Sequence, residues 1–380
     1  MFPELKKLFM LDPDITFLNH GSFGACPKPI FDKYIQFQKQ LEKEPVRLLA
    51  YDVFPLLEKS RDALSKFISC NKDDLIFSPN PSTALNTVIK SLNLKENDEI
   101  LTTNHEYGAL DRTWNFICKK TGAKYIQQTI KLPLNSKEEF INDFKKGINE
   151  KTKIIFLSHI TSSTALIFPV EEICKLAKEN NILCIIDGAH VPAHIKLNIK
   201  KLNPDIYVGA CHKWMCSPKG VSFLYVKKEL QDSIDPLVVS WGYESDEPSH
   251  SQFLDYHQWQ GTKDMSAYLT IPDTIQFLKH NDWENVSKKC RETNLWARNE
   301  INHLLNKEAL CDEKFLGQMS SIRIDQNATI DYHIYFYKKY KIQLPFIKWN
   351  DQSFIRISLQ AYNSIEDINI LMDALKKEMS

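Results

Sequence analysis

The chain has 380 residues, 43% of them hydrophobic and 25% charged, with 48 basic side chains against 48 acidic ones. Such a composition is globular, long enough for two or three domains at roughly 150 residues each, and excludes disorder, collagen and fibre. Without a net positive field neither nucleic acid nor a membrane is an expected partner; no run approaches the ~18 apolar residues of a span, and acids with Pro13 stand where a signal peptide needs its apolar segment, so a cytoplasmic protein is expected.

Residues 54–68 (FPLLEKSRDALSKFI) carry apolar side chains at helical spacing, and DDLIFSPN then reads as a strand ending in a turn. PSTALNTVIKSL follows as a helix, with Pro81 and Ser82 in its first turn and Ala84, Leu85, Val88 and Ile89 on one face. Three later runs, KIIFLSHI (153–160), ILCIIDGAH (182–190) and DIYVGACHKW (205–214), are apolar nearly throughout and turn polar at their carboxyl ends, as strands buried on both faces do. FPVEEICKLAKENN lies between the first two as a helix, and VSFLYV supplies a further strand. This alternation predicts an α/β fold with a mostly parallel sheet. Beyond residue 280 the pattern changes to long charged helices, the strand-like SSIRI and SFIRISLQ, and a terminal helix, which predicts a smaller α+β domain.

Nine cysteines without a CxxC pair, several inside apolar runs, read as reduced core thiols rather than a disulfide framework or a zinc site. None of the 11 glycines builds GxGxxG or GxxxxGK[ST], so a phosphate, if bound, needs another device.

Ligands of open parallel sheets bind beyond the carboxyl ends of the strands. Those ends here are His159, Asp187 with His190, and His212 with Lys213. A lysine that forms a Schiff base and an acid that partners a pyridinium nitrogen are the pair used by pyridoxal phosphate enzymes. His190 and His194 at helical spacing suggest a metal site instead, but Pro192 between them breaks the helix such a site uses.

The segments LNHGSFGACP (18–27), NPSTALN (80–86), NHEYGALDRTW (104–114), SHITSSTALIFPV (158–170), DGAH (187–190), CHKWMCSPKG (211–220), WQGTKD (259–264) and RISLQAYN (356–363) resemble the class V aminotransferases of fold type I. Within them the chain is most similar to the isopenicillin N epimerase-like branch, related to cysteine desulfurases and hercynylcysteine sulfoxide lyase. The resemblance implies a large domain over 16–279 built on a seven-stranded, mostly parallel sheet, a small domain over 280–380 joined by residues 1–15, and pyridoxal 5'-phosphate as cofactor. It further implies a homodimer with shared active sites acting on a small amino acid.

By the same resemblance Lys213 carries the cofactor and moves protons, Asp187 keeps the pyridine nitrogen protonated, His190 approaches the ring hydroxyl, and His159 sits beside it near the substrate. Ser82, Thr83 and His212 are implied for the phosphate, and Thr262 for the phosphate of the neighbouring subunit. His105 is implied as the ring stacked on the cofactor with Tyr107 reaching toward substrate, an assignment in which the two can exchange. Arg356 is implied to grip the α-carboxylate, with Arg47 and Asn19 as further substrate contacts. Arg47 beside a proline also reads as an ordinary ion-paired residue, and Tyr107 as a core tyrosine.

Two departures bear on the reaction. Ala210 stands where desulfurases place a serine, and residues 317–356 contain no cysteine to accept sulfur. These departures disfavour sulfur relay through a protein thiol; the resemblance to the isopenicillin N epimerase-like branch implies epimerase or racemase chemistry, with a C–S lyase or an aminotransferase as alternatives and a catalytically silent scaffold as the non-enzyme reading. Retention of Lys213, Asp187 and Arg356 together argues against the last.

Overall fold

A computed structural model describes residues 2–327 and 329–379. After a short strand β1 (Thr16–Phe17) come β2 (Leu75–Ser78), β3 (Glu99–Thr103), β4 (Lys124–Gln128), β5 (Thr152–Ser158), β6 (Leu183–Gly188), β7 (Ile206–Ala210) and β8 (Ser222–Val226). Strands β2 to β8 form one sheet in the order β2-β8-β7-β6-β5-β3-β4. Only β8 runs against its neighbours, so the carboxyl ends of β2, β3, β5, β6 and β7 open on one edge of the sheet.

The central strands are apolar on both faces because both faces are covered. Ile154 and Phe156 of β5 pack into one cluster with Leu85, Val88 and Trp114, while the alternate residues Ile155 and Leu157 enter another with Ile173, Ile186 and Tyr207. A period of two sends successive side chains to opposite layers, and each fully buried one contributes about 2 kcal/mol of transfer free energy. The strands expected at 153–160, 182–190 and 205–214 are present but stop short, because His159, Ala189 to His190 and Cys211 to Trp214 leave the sheet as turns.

Beyond the sheet, β9 (Met319–Ile324), β11 (Phe346–Trp349) and β12 (Gln352–Ser358) form a three-stranded antiparallel sheet in the order β11-β12-β9, and β10 (Ile342–Gln343) pairs with β1 in parallel. Their core includes Ile301, Ile322, Ile355, Ile357 and Leu371 from the C-terminal part and Leu18 from the N-terminal part. β1, at the start of the expected large domain, thus pairs with a strand of the C-terminal part, and Leu18 packs into the same core. Trp283, Val286 and Cys290, although beyond residue 280, pack into the larger core.

Candidate active site

Three strand ends bring the expected residues together. Asp187 is the penultimate residue of β6, Lys213 lies in the turn after β7, and the two strands are paired, with Asp187 opposite Val208. Lys213 Nζ stands 3.2 Å from His190 Nε2, and the indole Nε1–H of Trp214 donates to His190 Nδ1 at 3.3 Å. Behind the turn, His20 bonds the Lys213 carbonyl through Nε2 at 3.0 Å and the Tyr362 hydroxyl through Nδ1 at 2.8 Å. Gly24 passes so close that a Cβ there would lie 2.1 Å from the His212 carbonyl oxygen, and its φ of +69° is left-handed. Only glycine meets both demands.

Burial, with the nearby charge of Arg356, lowers the Lys213 ammonium to a pKa of about 8, while Asp187 opposes the shift. Burial raises the Asp187 carboxyl, against the Ala189 N–H that donates to it at 2.9 Å and the charge of Lys213. His190 is pushed well below the usual imidazole range, first by burial and then by Lys213 and Arg356. His212, whose Nδ1 meets the Val221 carbonyl at 2.9 Å, falls to about 4 for the same first reason.

Residues 81–91 begin a helix at the carboxyl end of β2, capped by Asn80, whose Oδ1 accepts from the Thr83 N–H at 2.8 Å and from its hydroxyl at 3.1 Å. Ser82 in this first turn is only part-buried, and a helix N-terminus that follows the carboxyl end of a strand offers its positive end to an anion.

Arg356 comes from β12 of the smaller sheet and is buried. Its Nη1 donates to the Ser162 carbonyl at 2.7 Å and its Nη2 to Ser22 Oγ at 2.9 Å; Ser22 Oγ in turn donates to Asn19 Oδ1 at 2.6 Å. Nε is buried without a partner. It shares an edge of the guanidinium with Nη2, the edge that takes a carboxylate side-on. Burial lowers Arg356 to about 10, and Tyr107 counteracts it, so that tyrosine lies within electrostatic reach. Tyr107 itself caps the helix over Gly108–Thr121 and is 46% exposed.

The other expected residues have these surroundings. His105 is fully buried, its Nδ1 on Thr164 Oγ1, its Nε2 on the Ile130 carbonyl, and its ring 4.3 Å from that of Trp349 in β11. Both of its nitrogens are thus engaged, and Trp349 covers its ring. His159 bonds the Tyr207 hydroxyl at 3.0 Å and lines a different recess with Glu171 and Lys201, because the chain turns after Ser158 and sends this ring to the other side. Arg47 is a surface residue paired with Asp52 at 3.2 Å and Glu44 at 3.6 Å. Thr262 is exposed.

Residues not singled out from the sequence complete the site: Ser22, Ser162, His20 and Gly24 as above, and Glu106. The Glu106 carboxylate accepts from Thr103 Oγ1 at 2.6 Å and from the Ser158 N–H and hydroxyl at 2.8 and 2.6 Å. Ser158 is the sheet partner of Asp187. Burial lifts Glu106 to about 7 despite these bonds. Their one signal in the sequence was position inside the motif segments.

The family model described as Aminotransferase class-V matches residues 25–371. The isopenicillin N epimerase of Amycolatopsis lactamdurans is 28% identical, over 98% of this chain and 97% of its own. The hercynylcysteine sulfoxide lyase of Schizosaccharomyces pombe is 24% identical, over 98% and 96%. Among solved structures, a C-DES variant with glycine covalently linked to its PLP cofactor superposes with a TM-score of 0.84 at 20% identity, covering 100% of this chain and 98% of that one.

The site fits pyridoxal phosphate by its own chemistry. An amine that sheds its proton near pH 8, a buried carboxylate, an uncrowded helix N-terminus and an orphaned guanidinium nitrogen answer in turn to an aldehyde, a ring nitrogen, a phosphate and a substrate carboxylate.

Proposed function

The chain belongs to the aminotransferase class-V family and is a pyridoxal phosphate-dependent enzyme, and from that premise we propose that it epimerises or racemises an amino acid at Cα. The observation that carries the reading is the convergence of two proton carriers on one carboxylate grip. The charge of Arg356 reaches Lys213 and that of Tyr107 reaches Arg356, which supports placing both carriers about the same buried guanidinium. Inversion needs a proton removed on one face and returned on the other.

Pyridoxal phosphate, when bound, supplies the electron sink that makes the Cα proton acidic. Lys213 holds the cofactor, and Asp187 keeps its ring nitrogen charged, since an opposite charge favours the protonated form. Arg356 orients the substrate carboxylate through Nε and Nη2, and Ser22 with Asn19 fixes the guanidinium plane. Lys213 removes the Cα proton, and the Tyr107 hydroxyl delivers one from the opposite side. The exposed Tyr107, rather than the enclosed His105, takes the stacking position, an exchange the sequence already allowed. Ser82, Thr83 and His212 serve the phosphate.

The isopenicillin N epimerase similarity supports this reading. A C–S lyase is the second reading, favoured by the similarity to hercynylcysteine sulfoxide lyase and by the state of the thiols. Burial raises Cys26, Cys70, Cys290 and Cys311 each to about 12, so sulfur would leave without a protein persulfide. Free cysteines throughout the described residues also suit the reducing cytoplasm proposed for it.

A homodimer is part of the same reading. Val239 and Trp241 are 68% and 87% exposed on the segment preceding Thr262, an apolar surface suited to a partner that receives Thr262 at its phosphate. Sedimentation at micromolar concentration should show two chains; a fully active monomer would refute this.

Incubation of the enzyme with a panel of amino acids in deuterated water tests the reaction. Cα deuteration with recovery of both enantiomers is expected. Pyruvate and ammonia would transfer the assignment to a C–S lyase, and oxo-acid-dependent amino transfer to an aminotransferase.

A further inference from the structure

A second cavity, of about 870 Å³, lies behind the Lys213 turn and shares neither Lys213, Asp187 nor Arg356 with the active site. Segment 193–197 after β6 walls one side, and the start of the helix Trp283–Leu304 walls the other. Its inner end is His194, whose ring stacks on Trp214 at 3.9 Å and so separates it from Lys213. Ser287 Oγ donates to the Ala193 carbonyl at 3.2 Å and holds the two walls together.

Its lining has two parts. Ile195, Leu278, Trp283 and Leu316 give an apolar floor. Around it stand Lys66, Lys196, Lys279, Lys288, Arg291 and Lys314, against the carboxylates of Asp282 and Glu284 alone. In a chain with no net charge that is a local concentration of positive field. Lys196, Lys279 and Lys288 form no ion pair among the described residues, whereas Lys66 is paired with Asp62 and Arg291 donates to the carbonyls of Leu316 and Glu313.

Trp283 is only 5% exposed, and its indole Nε1–H is buried without an acceptor. The same residue opens a 22-residue helix whose cap residue Asp282 makes no side-chain bond to it, leaving first-turn N–H groups at the cavity mouth. The volume lies within the range of sites that hold a drug-sized molecule on a mostly apolar surface with a few placed polar groups.

We propose that this cavity binds an amphiphilic anion, with its hydrocarbon or ring body on the Leu278–Trp283–Leu316 floor and its carboxylate or phosphate among Lys196, Lys279 and Lys288. The inference does not depend on which reaction the active site performs.

Calorimetric titration of the holoenzyme with decanoate, decyl phosphate and decanol tests it. One molecule of an anionic probe should bind per chain, at least ten-fold tighter than decanol, and the preferred anion identifies a fatty carboxylate or a phosphorylated lipid as the source. Lys196→Glu combined with Lys288→Glu, both exposed and so without consequence for folding, should weaken anion binding at least ten-fold while leaving decanol unchanged. Decanol binding as tightly as decanoate, unaltered anion affinity in the charge-reversed variant, or no binding of either anion would overturn the proposal.

Discussion

Lys213 Nζ faces His190 Nε2 at 3.2 Å, and His190 Nδ1 accepts the indole N–H of Trp214. Because an indole nitrogen only donates, a neutral His190 must carry its proton on Nε2, where it can donate to the lone pair of an uncharged Lys213. The pair thus favours the nucleophilic form of the lysine.

The capture rate of pyridoxal phosphate by the apo-protein should accordingly rise with pH through about 8, as Lys213 loses its proton. His190→Ala removes the donor to the neutral amine and should move that midpoint upward by roughly half to one unit, the equivalent of one hydrogen bond. His190→Gln retains an N–H and should restore much of the shift. An unmoved midpoint in the alanine variant would contradict the tautomer deduced for His190.

Arg356→Lys should weaken substrate more than cofactor. A lysine cannot make two parallel hydrogen bonds from one edge, and loss of one charged bond is worth about 2 kcal/mol, or roughly a thirty-fold rise in KM. Cofactor affinity should stay within about threefold. Ser22→Ala acts through the guanidinium and should raise KM by roughly three- to ten-fold with kcat little changed. Equal losses of cofactor and substrate affinity in the Arg356 variant would remove it from the substrate site.

Glu106 makes stability fall as pH rises. Its folded pKa of about 7 lies above the ordinary 4.5, so the folded chain holds this proton more tightly than the unfolded chain does. The associated stability is complete below about pH 4.5 and lost through about 7, a difference of about 3 kcal/mol in all. Urea unfolding at pH 5 and pH 8 should show the wild type losing about 2–3 kcal/mol more than Glu106→Gln across that interval. Parallel pH dependence in the two proteins would mean that Glu106 ionises normally.

The sequence by itself determined the doubly covered sheet, because a strand buried on both faces must be apolar throughout, as the runs ending at Asp187 and Lys213 are. It also carried the family motifs that named Lys213, Asp187 and Arg356. It hid β4, whose KYIQQ is a half-exposed edge strand with little apolar pattern, and the affiliation of β1, whose pairing with β10 joins residues more than three hundred apart. Tertiary structure alone decided the histidines. His105, His159 and His190 all stand at or just after strand ends, and a single turn sends His190 to Lys213, His105 beneath Trp349 and His159 to Tyr207. Spacing along the chain fixes which edge of the sheet a residue reaches. The direction of its side chain depends on turns and on packing partners such as Trp214, Trp349 and Tyr207, which meet these residues only after distant segments have folded together.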